Sequence, residues 1–223
     1  MKIYYVLGLM LLTSCGILAF AATADKHKEQ MPEKKAASTL QHSVAASTLA
    51  GKKLFLQKNC GSCHSDADPS KEFDPMMPAP KIAGQSKYYL IKILADFRDG
   101  KLKGTVMPSM TKSLKDDEIA HLAEWLSGLP KPGLKKSGQN RPAILNGDKT
   151  RLIQACESCH GLNGKGTASA PFIAGQNRDY FDNQLKAFAD GSRPNDLHGG
   201  MSRIAKSLTP TEIQQLTDYF TSP

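Results

Sequence analysis

Two five-residue segments of this 223-residue chain, Cys60-Gly61-Ser62-Cys63-His64 and Cys156-Glu157-Ser158-Cys159-His160, share the spacing C-x-x-C-H. Two thiols three positions apart can each add to one vinyl group of a single porphyrin. The histidine that follows then presents an imidazole nitrogen to the iron from one face. The spacing is the attachment signature of c-type haem, and its recurrence predicts two haem c groups, covalently bound. The rival readings of C-x-x-C fail on context. A zinc ribbon sets its two pairs roughly 15–20 residues apart, whereas these begin at 60 and 156. A thioredoxin-like pair sits in a βαβ setting and needs no histidine after it.

Laying the second motif on the first brings other segments into register, the mark of a duplicated domain. Gly51 falls on Gly147, and Pro80-Lys81-Ile82-Ala83-Gly84-Gln85 falls on Pro171-Phe172-Ile173-Ala174-Gly175-Gln176. Tyr89, Leu94, Phe97, Asp99 and Gly100 fall on Tyr180, Leu185, Phe188, Asp190 and Gly191. Further on, Met107 falls on Met201, Leu114 on Leu208 and Trp125 on Tyr219. Each copy reads as helical. Residues 47–58 and 147–155 are expected to be short helices that deliver the haem motifs. Tyr89, Leu90, Ile93, Leu94 and Phe97 form the apolar stripe of a helix that Gly100 stops. In the last helix of the second copy, Thr209 with Glu212 makes a capping box, Pro210 suits the first helical position, and Ile213, Leu216 and Phe220 are the buried face. Ile119, Leu122, Ala123 and Leu126 supply that face in the first copy. Units of this size are short of core, and a buried porphyrin would supply the missing apolar mass.

These boundaries give five parts. Residues 1–24 read as an export signal: Lys2 is followed by an apolar run and by Ala22-Thr23-Ala24 before Asp25. Cleavage after Ala24, lipidation at Cys15 within Leu12-Thr13-Ser14-Cys15, or retention as a membrane anchor are the outcomes compatible with it. Residues 25–46, polar and rich in Lys, Ala and Ser, read as a flexible spacer. Residues 47–129 are the first domain, 130–142 a Pro- and Gly-containing linker, and 143–223 the second domain. The net charge of +8 is spread thinly along the chain, without the concentrated basic face that nucleic-acid binding requires. It suits a mixed surface or a weak basic docking patch for a redox partner.

A sixth iron ligand separates an electron carrier from a catalyst. Met107 and Met201, in register between helices, are the candidates to complete the iron sites begun by His64 and His160. Met110 competes in the first copy, but Ile204 stands in its place in the second, and Met76 and Met77 have no counterpart there. His198 is a competing ligand near Met201, while His27, His42 and His121 read as solvated. A ligating imidazole needs an acceptor for its other N–H, and the backbone beside Pro80 and Pro171 is placed to offer one.

The two haem motifs, the paired P-x-I-A-G-Q segments, the F-x-D-G turns and the two later methionines resemble the cytochrome c4 group, the dihaem branch of the class I cytochrome c family. The likeness runs from Ser47 to Ser222. It implies an all-α fold of two tandem class I cytochrome c domains, each wrapped around one covalent haem c, packed about a pseudo-twofold axis. It also implies that Cys60, Cys63, Cys156 and Cys159 hold the porphyrins, and that His64 with Met107 and His160 with Met201 ligate the irons. Arg151 departs from the pattern, standing where related first helices carry an aromatic, as Phe55 does here.

No nucleophile, catalytic base pair or second cofactor motif is visible, so the expected role is an electron carrier rather than an enzyme. The resemblance implies a periplasmic location, soluble or tethered, because haem c is attached after export. It implies single-electron relay in a respiratory chain, from a quinol-oxidising complex or a dehydrogenase to a terminal oxidase. The alternative is a dihaem electron-transfer subunit of a periplasmic dehydrogenase complex. A dihaem peroxidase would require one open iron.

Overall fold

The computed structural model describes residues 32–68, 79–131 and 141–221. The export signal, Cys15, Met76, Met77 and linker residues 132–140 lie outside them. Among the described residues the structure is helical apart from one antiparallel bridge, Asp148 with Ile153. The first copy contains α1 (Pro32–Gln57), α2 (Lys87–Arg98), α3 (Met107–Thr111) and α4 (Asp116–Ser127). The second contains α5 (Cys156–His160), α6 (Arg178–Asp190), α7 (Gly200–Lys206) and α8 (Pro210–Thr221).

In the first copy α1 packs across α4, burying Phe55 against Trp125 with ring centroids 4.7 Å apart. Leu90 and Leu94 of α2 close the same core with Ile119, Leu122 and Leu126 of α4. The crossing is tight because Gly51 has no side chain; a Cβ there would lie 2.0 Å from the His121 carbonyl oxygen. The His121 side chain, expected to be solvated, is half-buried. Its Nδ1 is 2.8 Å from Ser47 Oγ, a second tie between the two helices.

Two segments depart from expectation. Helix α1 begins at Pro32 rather than near Ser47, so the spacer is helical from that residue onward. Its Lys, Ala and Glu content favours helix as readily as it favours solvent, and residues 41–46 are exposed. The helix expected over 147–155 does not form. Gly147 takes φ +78°, and Asp148 Oδ1 accepts the N–H groups of Thr150 and Arg151 at 2.9 and 3.2 Å, closing a turn that a helix cannot follow.

That turn explains Arg151. Where Phe55 stacks on the last helix of its own copy, Arg151 reaches the last helix of the second copy through ionic contacts. Its guanidinium donates to Glu212 at 2.9 and 2.6 Å, to Asp148 at 2.7 Å and to the Ser207 carbonyl at 3.0 Å. Glu212 also closes the capping box of α8, accepting the Thr209 N–H at 2.8 Å while its own N–H donates to Thr209 Oγ1 at 3.2 Å. Ile213, Leu216 and Phe220 are buried below, with Ile144 and Leu145 of a short 3-10 turn completing the second core.

The copies meet through the two P-x-I-A-G-Q segments. Gln85 Nε2 donates to the Phe172 carbonyl at 2.9 Å, and Gln85 Oε1 accepts the Phe172 N–H at 2.8 Å. Gln176 makes the same pair of bonds to Lys81, at 3.0 and 2.7 Å. Lys81 and Phe172 occupy the same register position, so the contact is reciprocal. Around it, Lys92 donates to the Asn195 carbonyl, and Arg193, buried over the Phe188 ring, donates to Tyr89 Oη at 3.0 Å.

Candidate haem-binding sites

Helix α1 is ended by Asn59 in the left-handed conformation, φ +54°. The chain then turns tightly through Cys60–Ser62, with the His64 N–H donating to the Cys60 carbonyl at 3.0 Å. Both thiols and the imidazole of the first motif thus sit on one turn. In the second copy the whole motif is the short helix α5. Arg141 braces it by donating to both Glu157 carboxylate oxygens, at 3.0 and 2.7 Å, which holds that carboxyl below its ordinary range. All four motif cysteines are free of disulfides. Burial pushes the Cys60 and Cys156 thiols up, keeping them protonated.

Each histidine is 8% exposed and fixed by one bond. His64 Nδ1 lies 2.8 Å from the Pro80 carbonyl oxygen, and His160 Nδ1 lies 2.9 Å from that of Pro171. A carbonyl oxygen can only accept, so Nδ1 carries the proton in both rings and Nε2 is left with a bare lone pair. Burial is the main influence on both imidazoles and lowers their pKa, against a smaller opposing effect of the carbonyl contact. Both rings are therefore neutral and pre-oriented, the state an iron ligand requires.

The loop carrying each proline is fastened to its own motif by different chemistry. In the first copy Asp66 Oδ2 accepts the N–H groups of Ile82 and Ala83, at 2.7 and 2.8 Å. In the second, the Gly164 carbonyl accepts those of Ile173 and Ala174, at 2.9 and 3.2 Å. Asp66 and the two glutamines were not singled out from the sequence. The glutamines had a usable signal, since they close both repeated segments; Asp66 has no counterpart in the second copy to flag it.

Met107 opens α3 and packs, partly buried, on the first core together with Cys60. Met201 lies in α7 and packs on the second core together with Cys156. Met110 is 38% exposed, and His198 is exposed in a turn at φ +53°. The chemistry of the donor set fits haem c: in each copy there are uncommitted thiols, a neutral imidazole with Nε2 free, and a thioether bordering the same core as the first cysteine.

The family model described as Cytochrome c matches residues 49–130 and 147–222. A Stutzerimonas stutzeri (strain A1501) protein named thiosulfate dehydrogenase electron acceptor is 32% identical over 197 residues, 80% of this chain and 88% of that one. Cytochrome c4 of Pseudomonas aeruginosa is 33% identical over 170 residues, 72% of this chain and 81% of that one. The crystal structure of reduced recombinant cytochrome c4 from Pseudomonas stutzeri matches with a TM-score of 0.64 at 27% identity, over 78% of this chain and 96% of that one.

Proposed function

We propose, from the premise that this chain belongs to the cytochrome c family, that it relays single electrons in an extracytoplasmic respiratory chain and delivers them to a terminal oxidase. The chain is a dihaem electron carrier, with one covalent haem c in each domain. In this reading Cys60 and Cys63 hold the first porphyrin and Cys156 and Cys159 the second. His64 with Met107 would ligate the first iron, and His160 with Met201 the second. Bound haem supplies a one-electron Fe(III)/Fe(II) couple.

The remaining work falls to the protein. The Pro80 and Pro171 carbonyls keep the Nδ1 protons in place, so that Nε2 stays aimed and basic. The methionine sulfurs would offer a soft ligand that stabilises the ferrous state and raises the potential. With a histidine and a methionine both held to the iron, no position would be left for a substrate, which suits transfer without chemistry. A difference of about 60 mV between the two haems would place the electron on one of them tenfold more often and give the relay a direction.

The observation that carries this reading is the matched pair of buried, Nδ1-anchored histidines, each directly after two free thiols. The test is reduction of the purified holoprotein by membranes supplied with quinol, followed by oxygen uptake through the oxidase. Turnover of both steps supports the route. Failure of the oxidase step rejects it.

A second reading makes the chain the dihaem electron-transfer subunit of a periplasmic dehydrogenase complex, and the likeness to a protein named thiosulfate dehydrogenase electron acceptor favours it. Rapid reduction by a thiosulfate dehydrogenase with thiosulfate, and not by quinol-supplied membranes, would select that alternative. The periplasmic location belongs to the same proposal. Among the described residues no helix is long and apolar enough to cross a membrane.

A further inference from the structure

The peptide group between Pro80 and Lys81 is engaged at both ends. Its carbonyl accepts the His64 Nδ1–H at 2.8 Å, and its N–H donates to Gln176 Oε1, in the other domain, at 2.7 Å. The peptide between Pro171 and Phe172 is engaged in the same way, with His160 at 2.9 Å and Gln85 Oε1 at 2.8 Å. Both glutamines are buried. Their amides are oriented by further bonds: Gln85 Oε1 also accepts the Ser86 N–H at 2.8 Å, Gln176 Oε1 the Asn177 N–H at 2.7 Å, and each Nε2 faces a carbonyl. A flipped amide would set its NH2 against two N–H donors and its oxygen against a carbonyl.

We infer that Gln176 is a positioning residue for the haem of the first domain and Gln85 for that of the second, each setting the reduction potential across the domain interface. The inference rests on His64 and His160 being the iron ligands. A peptide is one conjugated unit, so a bond accepted from its N–H leaves more negative charge on its carbonyl oxygen. Linked hydrogen bonds polarise one another in this way. A more negative Pro80 oxygen draws the His64 Nδ1 proton more strongly and makes Nε2 a better donor to iron. The ferric state gains, and the potential falls. Only an electron is exchanged with the redox partner; the Nδ1 proton stays between nitrogen and oxygen, and no covalent bond forms or breaks. The crossing of the bonds is the distinctive feature, because each glutamine acts on the haem that its own domain does not carry.

The test measures the potential of each haem in the holoprotein by redox titration, followed through haem-methyl NMR resonances assigned to each domain. Gln176→Met removes the acceptor while keeping the volume. It should raise the first-domain potential so that the ferrous-to-ferric ratio at fixed potential increases about threefold, the order that cooperative polarisation of one bond supports, with a smaller change in the second domain. Gln85→Met should give the mirror pattern. Gln176→Glu replaces the amide oxygen by an anionic one and should shift the first-domain potential the other way, more than the second; it decides the sign should Gln176→Met lose haem.

Tyr89→Phe serves as control, since it cuts the interdomain bond from Arg193 without touching either peptide or changing the charge, and it should leave both potentials in place. Shifts confined to the mutated residue's own domain, or equal shifts in both haems, would overturn the inference. The same spectra report the axial ligands through the shifted methionine methyl signals. Their absence from the unmutated protein would instead overturn the ligand assignment, and the relay with it.

Discussion

Gly51→Ala should destabilise the first domain, although the same change in an ordinary helix interior stabilises by about 1 kcal/mol. An added Cβ would lie 2.0 Å from the His121 carbonyl oxygen, 2.7 Å from its carbon and 2.8 Å from Trp125 Cβ. Two of these atoms are backbone, so no side-chain rotation relieves the overlap. Helices α1 and α4 would have to part by more than about 1 Å to restore normal contact distances near 3.5 Å. The separation would loosen the Phe55–Trp125 stack and the Ser47–His121 bond. Overpacking of this kind costs about 1–3 kcal/mol, and backbone overlap places Gly51 at the upper end. After the propensity gain, about 2 kcal/mol of net destabilisation is left, or roughly 8–16 °C in the melting temperature of a domain this small. Trp125 is the sole tryptophan of the chain and is buried in that domain. Its fluorescence, released from haem quenching on unfolding, therefore reports the first domain alone. An unchanged or raised melting temperature in the variant would refute the account of the helix crossing.

Met107→Ala and Met201→Ala should each halve the far-red absorption band of ferric iron–thioether ligation, open one iron to carbon monoxide and lower that haem's potential, with two haems retained; Met110→Ala should do none of this. The crossed potential shifts of the Gln85 and Gln176 variants are the matching expectation for the domain interface. Arg151→Met should remove an acid-dependent part of the second domain's stability. Arg151 holds Glu212 down at about 2 from an ordinary value of 4.5, so the stabilisation is fully present above about 4.5 and is lost as pH falls through about 2. The gap in melting temperature between parent and variant, read by circular dichroism, should be widest near pH 6 and narrow steadily toward pH 2. A gap that stays constant over that range would contradict the ion-pair account.

The strongest sequence signals were those in which one residue type does one job at a set spacing. The C-x-x-C-H motifs declared their chemistry. The capping box of Thr209 and Glu212 marked the start of α8, apolar spacing placed α2, α4 and α8, and the register of the repeat carried α2 onto α6. Alignment of the copies misled where equivalent residues serve different ends. Gly51 is small so that two helices can touch, whereas Gly147 in the same register adopts a positive φ that ends a turn. Copying the helix of the first domain onto residues 147–155 therefore failed. The same substitution of means explains Arg151, which ties by charge what Phe55 ties by stacking. Polarity read as flexibility hid the first turns of α1, because Lys, Ala and Glu serve a solvated helix equally well. The Gln85 and Gln176 contacts depend on bringing residues about 90 positions apart in the chain face to face, and no local pattern encodes that.

The central claim is that each polypeptide holds two covalently attached haems, each exchanging one electron. Coulometric titration of protein produced in a host competent for haem c maturation, combined with a pyridine haemochrome count on the same sample, tests it most directly. Two covalent haems and two electrons per chain are predicted. One or none of either, from protein that is otherwise folded, would contradict it.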